Sequence, residues 1–314
     1  MTDGGPVVES PVDAGPVDDG TAVFAAERRR LTGIAYRITG SLADAEDVVQ
    51  EAWLRFSGAG PAGIDRPAAW LTTVVARIAL DHLKAARRER EVYVGPWLPE
   101  PIASDPLAVS RPGPEEMAEL ASSLTLGFLH VLETLSAVER VVFVLADVFD
   151  VPFKEIADTV GKSPDACRQL ASRARRRVRD ARPQRYTPPD DEAARVVGEM
   201  LAATTAGDVE GLVKLLAEDA VLVSDGGPHK RAARHPIRGR DRLARFMANL
   251  GKRYAGEATL EPVALNGELG IVISLEGRRE AAFSFEVEGG LVREVHAIVA
   301  DEKLAALDRS VDLI

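Results

Sequence analysis

The chain has 314 residues, 46% of them hydrophobic, and 49 Asp and Glu outnumber 39 Lys and Arg for a formal net charge of −10. That length predicts two or three domains with enough apolar content for their cores, and a single cysteine, Cys167, excludes an intramolecular disulfide framework or a cysteine-based zinc cluster. A reducing cytosolic compartment is therefore expected, no apolar run reaches membrane-spanning length, and no metal or cofactor is expected.

Residues 1–23 hold Asp3, Glu9, Asp13, Asp18 and Asp19 without a Lys or Arg. Lacking a basic flank and an apolar core, they read as a disordered acidic tail and not a signal peptide. Acid concentrated here and in the C-terminal third makes whole-chain charge a poor guide to partners.

Residues 24–92 show helical periodicity. Leu31, Ile34, Ala35 and Ile38 form a core stripe that stops at Gly40, and Ser41 caps a second helix with Asp44 three residues on. On that helix Val48, Val49, Trp53 and Phe56 can face a core. Asp44, Asp47 and Glu51, flanked by Glu46 and Gln50, form a carboxylate stripe that fits either a solvated face or a partner-docking face. A third helix starts at Pro67, packs Leu71, Val74, Val75 and Ile78, and presents Arg77, Asp81, Lys84 and Arg88 on one side, where a phosphate backbone could lie. Trp70 near its start suits a core position or a base-stacking platform. Gly95 to Pro114 then carries six prolines. This stretch breaks every helix, and residues 93–115 read as a linker.

Residues 116–185 are helical again, with a capping box at Ser136 and Glu139 and an apolar run from Val141 to Leu145. Within them, Val151 to Arg182 reads as two short helices about a tight turn. Gly161 closes the first, Ser163 caps the second, and Pro164 sits where its missing N–H costs nothing. Ala166, Leu170, Ala174 and Val178 fall on one apolar stripe, while Arg168, Arg175, Arg179 and Arg182 lie roughly opposite, with Arg173, Arg176 and Arg177 alongside. An arginine-rich helix can be merely well solvated, but the preceding turn makes this a helix–turn–helix. Such a unit aims the start of its second helix at base edges, so Asp165, Ala166, Arg168 and Gln169 become readers and the later arginines phosphate clamps.

Beyond Pro183, Pro188 and Pro189, residues 190–314 carry helical stretches near 191–205 and 209–217. Strand-like runs follow at 220–224, 269–275, 281–287 and 291–298, with Gly289-Gly290 marking a hairpin.

These segments resemble an extracytoplasmic-function sigma factor of the bacterial sigma-70 family. Residues 44–55, DAEDVVQEAWLR, resemble the sigma-2 segment that grips the clamp helices of the RNA polymerase largest subunit. Residues 67–88 resemble the part that engages the melted minus-10 strand, and residues 135–178 the sigma-4 domain that reads the minus-35 element. The linker's Trp97-Leu98-Pro99-Glu100-Pro101 and the C-terminal domain are similar to a subgroup with a WLPEP linker and an appended SnoaL-like domain. Its Asp-Gly-Gly-Gly-Lys motif has a one-residue-longer counterpart here, Asp225-Gly226-Gly227-Pro228-His229-Lys230, and its terminal Asn-Pro-Asp-Lys-Leu corresponds to residues 300–304.

The resemblance implies two all-α domains, sigma-2 and a helix–turn–helix sigma-4, followed by an α+β SnoaL-like cone-shaped barrel. It implies core polymerase contacts at Asp44, Asp47, Gln50 and Glu51, and minus-10 contacts at Trp70, Arg77, Lys84, Arg87 and Arg88. Minus-35 contacts are implied at Ser163, Asp165, Arg168, Gln169, Arg173, Arg175 and Arg176. The linker and the loop carrying Asp225, Gly226, Gly227 and Lys230 are implied to regulate the sigma region in the same chain. The expected partners are core polymerase and promoter DNA, with no membrane and with room for an unidentified small molecule in the C-terminal domain.

Two other classes share parts of this pattern. A helix–turn–helix regulator with a ligand-binding or cyclase-like C-terminal domain would act without polymerase. An enzyme would use Asp225, His229, His235 or His296, but no nucleophile and base fall at a spacing that demands catalysis, and fold alone does not license it.

Overall fold

The computed structural model describes residues 19–90, 95–104, 123–181, 191–254, 256 and 258–309. Helix α1 (Asp19–Thr39) begins inside the stretch expected as a tail, because Val23 and Phe24 have a core to pack against and the Phe24 ring lies 4.7 Å from Trp53. The rest of that tail, residues 1–18, falls outside the described residues, as do linker residues 105–114 and the boundary prolines 183, 188 and 189.

The first module comprises α1, α2 (Leu42–Ala59) and α3 (Pro67–Arg90). Ser41 caps α2 as its sequence predicts, its hydroxyl accepting from the Asp44 N–H at 3.1 Å. The second module comprises α4 (Leu126–Leu132), α5 (Ala137–Phe143) continued by a π turn at Val144–Val148, α6 (Phe153–Val160) and α7 (Pro164–Ala181). The capping box of Ser136 and Glu139 is formed at the start of α5.

These two modules share one apolar core running from Leu31 and Val48 through Leu83, Leu129 and Val142 to Leu170 and Ala174. Two arginines are fully buried across the seam. Arg37 on α1 donates to Ser123 Oγ at 2.8 Å and lies over the Phe149 ring, while Arg140 on α5 donates to the Arg37 carbonyl at 2.9 Å and pairs with Glu133.

The C-terminal domain comprises α8 (Asp191–Ala206), α9 (Val209–Leu215), α10 (Arg240–Arg253), the short α11 (Asp301–Leu304) and a mixed sheet. Its strands are β2 (Leu216–Asp225), β3 (Ile237–Arg238), β4 (Ala258–Leu265), β5 (Glu268–Leu275), β6 (Arg278–Glu288) and β7 (Leu291–Ile298). A further strand, β1 (Ala103–Ser104), comes from the linker, giving the order β1-β4-β5-β6-β7-β2-β3 with only β2 and β7 parallel. The expected β6–β7 hairpin turns at Gly289-Gly290, both with positive φ. Because strand side chains alternate between faces, Ile271, Phe283, Phe285 and Val295 pack against α8–α10 on one side. Val272, Ala282 and Ile298 on the other side meet Leu98, Leu126 and Leu304. No helix among the described residues is long and apolar enough to cross a membrane.

Candidate polymerase and nucleic-acid interface

Four surfaces carry the side chains singled out in the sequence. On α2, Asp47 and Gln50 are exposed, and Glu51 pairs with Arg55 one turn on at 2.5 Å. Asp44 is only half-exposed, and burial raises its pKa against the opposing pull of His82 and Arg90. Glu46 is held at 3.1 Å by Arg309 of the C-terminal domain. Leu54, one turn beyond Gln50 and Glu51, is 64% exposed, an apolar spot on a carboxylate face that sequence periodicity did not single out.

The basic side of α3 is mostly exposed, but two of its arginines are engaged by the second module. Arg77 donates to the Asp158 carbonyl on α6 at 2.6 Å, and Arg87, half-buried and lowered in pKa by that burial, points to the Glu133 carbonyl at 3.4 Å. Lys84 pairs with Asp81, Arg88 is exposed, and Trp70 is half-buried with its ring 5.7 Å from Phe56. Arg66, in the loop before α3, pairs with Glu155 at 2.8 Å.

On the helix–turn–helix, Gly161 ends α6 and Ser163 Oγ accepts from the Ala166 N–H at 3.2 Å. Cys167, Leu170, Ala171 and Ala174 bury one face of α7. Asp165, Arg168 and Gln169 are exposed at its start, Arg168 pairing with Asp165 and lying over the Phe153 ring. Arg173 and Arg177 turn back to Glu139, and Arg175 turns back to Asp147. Arg176 is exposed without an ion-pair partner among the described residues. The arginines thus divide into a set that ties α7 to α5 and a set that faces solvent.

The linker forms the fourth surface. It runs as a strap between the first module and the C-terminal domain. Glu100 reaches the start of α2, its carboxylate accepting from Ser41 Oγ at 2.9 Å and the Leu42 N–H at 2.7 Å, a favoured place for negative charge. Leu98, Pro99 and Pro101 are buried, and the Trp97 ring is approached by both Arg90 and Lys303, at 3.4 and 3.9 Å from its centre. The Leu98 N–H donates to Asp225 Oδ2 at 2.7 Å, and Lys303 donates both to that oxygen at 2.6 Å and to the Leu98 carbonyl.

Asp225 is fully buried, with the Gly227 N–H on its other oxygen at 2.9 Å. Gly226 and Gly227 let the loop fold tightly against the Lys230 backbone and Glu302. Lys230 itself serves Glu280 and Asp301 within the domain, so the lysine that meets Asp225 is Lys303. Sequence reading also missed Asn266, whose side chain joins Ile102, Tyr36 and Leu124.

An apolar cavity of about 100 Å³ lies between α8, α10 and strands β4–β6, lined among others by Leu201, Thr204, Met247, Tyr254, Phe283 and Phe285. His229 and His235 are exposed elsewhere, and His296 faces the other side of the sheet.

Two helical modules, the second built around a helix–turn–helix, are thus followed by an α+β domain with a mixed sheet, and a proline-rich strap packs against both. The described segments match family models for Sigma-70 region 2 over residues 23–89, Sigma-70 region 4 over residues 126–178 and a SnoaL-like domain over residues 197–310. The chain is 44% identical over 255 residues to the ECF RNA polymerase sigma factor SigJ of Mycobacterium tuberculosis, covering 79% of this chain and 78% of that one. It is 30% identical over 292 residues to the probable ECF RNA polymerase sigma factor SigI of the same organism, covering 92% and 96%. The crystal structure of Mycobacterium tuberculosis SigJ superposes with a TM-score of 0.71 at 36% identity, over 91% of this chain and 98% of that one. The chain belongs to the ECF RNA polymerase sigma factors, in the group that carries a SnoaL-like domain after region 4.

Proposed function

We propose that the chain supplies promoter specificity by bridging core RNA polymerase and DNA, and that its C-terminal domain restrains it in cis. Asp47, Gln50, Glu51 and Leu54, with Asp44 supporting the start of the same helix, dock on the clamp helices of the largest subunit. Trp70, Arg77, Lys84, Arg87 and Arg88, with the loop at 58–66, take the melted minus-10 strand. Ser163, Asp165, Arg168 and Gln169 read the minus-35 element, while Arg173, Arg175 and Arg176 hold its phosphates. The working units are residues 24–92, 93–115, 116–185 and 190–314, acting in the cytoplasm. Neither DNA surface needs to bind tightly alone, because tethering two weak contacts raises the effective concentration of the second.

The observation that carries the restraint is that Asn266 of the C-terminal domain donates to Tyr36 of the first module and to the Leu124 carbonyl just ahead of α4, supporting the arrangement in which Arg77 and Arg87 donate to carbonyls of the second module. Opening the two modules frees both guanidiniums for phosphate. Run-off transcription from a genomic fragment library with core polymerase tests the reading. Promoter-specific transcripts that increase when the strap is loosened support it, and DNA binding without polymerase, or substrate turnover, points to the other two classes.

The C-terminal domain is read as regulatory and not catalytic. Its cavity suits a small, uncharged, mainly apolar molecule. Ile271 and Phe283 line that cavity, while neighbouring Val272 and Ala282 meet the strap's Leu98 on the reverse face, a route by which an occupant could act on the linker. Thermal-shift screening of uncharged apolar compounds against the intact chain and a Phe285→Arg variant checks this: stabilisation of the first and not the second is expected.

A further inference from the structure

The sheet face that receives α4 is not wholly apolar. It carries Glu268 on β5, Ser284 and Glu286 on β6, and Glu294 and His296 on β7, while α4 contributes His130. His296 is 1% exposed and Glu286 8%. The Glu268 carboxylate accepts from Ser284 Oγ at 2.7 Å and from the Leu126 N–H of α4 at 3.3 Å. His296 Nε2 lies 3.3 Å from Glu294, and the His130 and His296 rings are 6.0 Å apart. Nδ1 of each histidine has no hydrogen-bond partner among the described residues. Gly127 of α4 sits so close that a side chain there would meet Glu286 Oε2 at 3.4 Å and His296 Cε1 at 3.5 Å. Among the described residues no three of these groups converge as metal ligands. A cluster of three carboxylates and two imidazoles, closed over by a helix of another module, is sensitive to its proton content.

We propose that this interface is a proton-operated catch: the C-terminal domain holds α4 while the cluster keeps its protons and releases it when mild alkalinisation removes them. The proposal rests on the reading that this domain restrains the helical modules.

The titration directions agree with the geometry. Burial, reinforced by Glu294 and Glu268, pushes Glu286 up to about 7, and burial raises Glu268. Burial opposes charge on His296, but Glu294, Glu268 and Glu286 together hold its pKa above the ordinary value. Each raised group stabilises docking below its ordinary pKa and loses that contribution as pH rises through the docked value. Two groups act oppositely. Burial and the neighbouring His296 lower His130, against the pull of Glu294 and Glu133, while burial works to raise Glu294 but His296, with His130 and Arg238, lowers it overall. The Glu294 effect falls below 4.5, but His130 still opposes docking by up to about twofold at pH 6.5, a penalty that fades by pH 8. Between pH 6.5 and 8 loss of the Glu286 proton weakens docking by at most about fourfold, His296 acts in the same direction, and His130 opposes them by at most about twofold.

Backbone hydrogen exchange of the intact chain, corrected for intrinsic rates at each pH, tests the catch. Protection of Leu126–Leu132 is expected to fall about twofold or more between pH 6.5 and 8, while α2 stays constant. Glu286→Gln, isosteric and uncharged, should flatten that dependence, and Glu268→Gln carries the same test should the first variant fail to fold. Protection of α4 that ignores pH, or a pH response identical in wild type and both variants, overturns the catch. A chain with no protection of α4 or of residues 98–103 at pH 6.5 instead overturns the restrained resting state itself.

Discussion

The side-chain amide of Asn266 donates to the hydroxyl of Tyr36, 230 residues earlier, at 2.9 Å, and that hydroxyl in turn donates to the Glu100 carbonyl at 2.6 Å. One buried relay thus joins the first helical module, the strap and the C-terminal sheet. Asn266 uses its remaining groups on the Ile102 N–H and the Leu124 carbonyl, so nearly all its polar capacity is spent between domains.

Asn266→Ala leaves buried donors and acceptors unpaired at a cost of about 1–3 kcal/mol. The expected outcome is a lower melting temperature, faster hydrogen exchange in residues 98–103 and increased run-off transcription.

Lys303→Met removes the cationic partner of the buried Asp225 carboxylate, leaving it backbone N–H donors, and should destabilise the chain by about 3–5 kcal/mol. Adding Asp225→Asn should recover part of that loss. Denaturant titration of the two single variants and the double reads the coupling, and strictly additive losses would show that the pair is not the strap's anchor.

Gly40 has φ of +75°, and a side chain there would meet the Trp97 ring at 2.6 Å. Gly40→Ala should cost about 1–2 kcal/mol from backbone conformation alone, with the collision adding to it. Removing the ring with Trp97→Ala should make the second substitution cheaper than the sum, measured again by denaturant titration.

At the upstream element, Arg168→Ala should relax base preference at a cost of about 1–3 kcal/mol, whereas Arg176→Ala should weaken binding across sequences. Footprinting of the polymerase-bound chain on promoter variants checks this, and uniform losses in both would reject that division of labour.

The helical modules were legible because their signals are local. Ser41, the Ser136–Glu139 box and the Gly161–Ser163 turn each act within a few residues, and Gly289-Gly290 marks its hairpin the same way. Helix α10 escaped because the arginines at 240, 242 and 245 obscure the buried stripe of Leu243, Ala244, Met247 and Ala248. Strand β4 escaped because four consecutive residues are exposed and Pro262 interrupts it, although Asn266-Gly267 behind it is a hairpin signal. The strap's partners could not be read in advance. Asp225 and Lys303, or Tyr36 and Asn266, meet only through tertiary packing, and prolines that break helices do not say what a linker lies against.

The account depends most on α2 as the polymerase-docking face. Asp47→Lys combined with Glu51→Lys alters an exposed and a half-exposed position and spares Asp44, whose neighbourhood includes the Ser41 cap. Affinity for core RNA polymerase should fall at least about tenfold, equivalent to about 1.4 kcal/mol, with the melting temperature unchanged. Undiminished association with the core enzyme would contradict it.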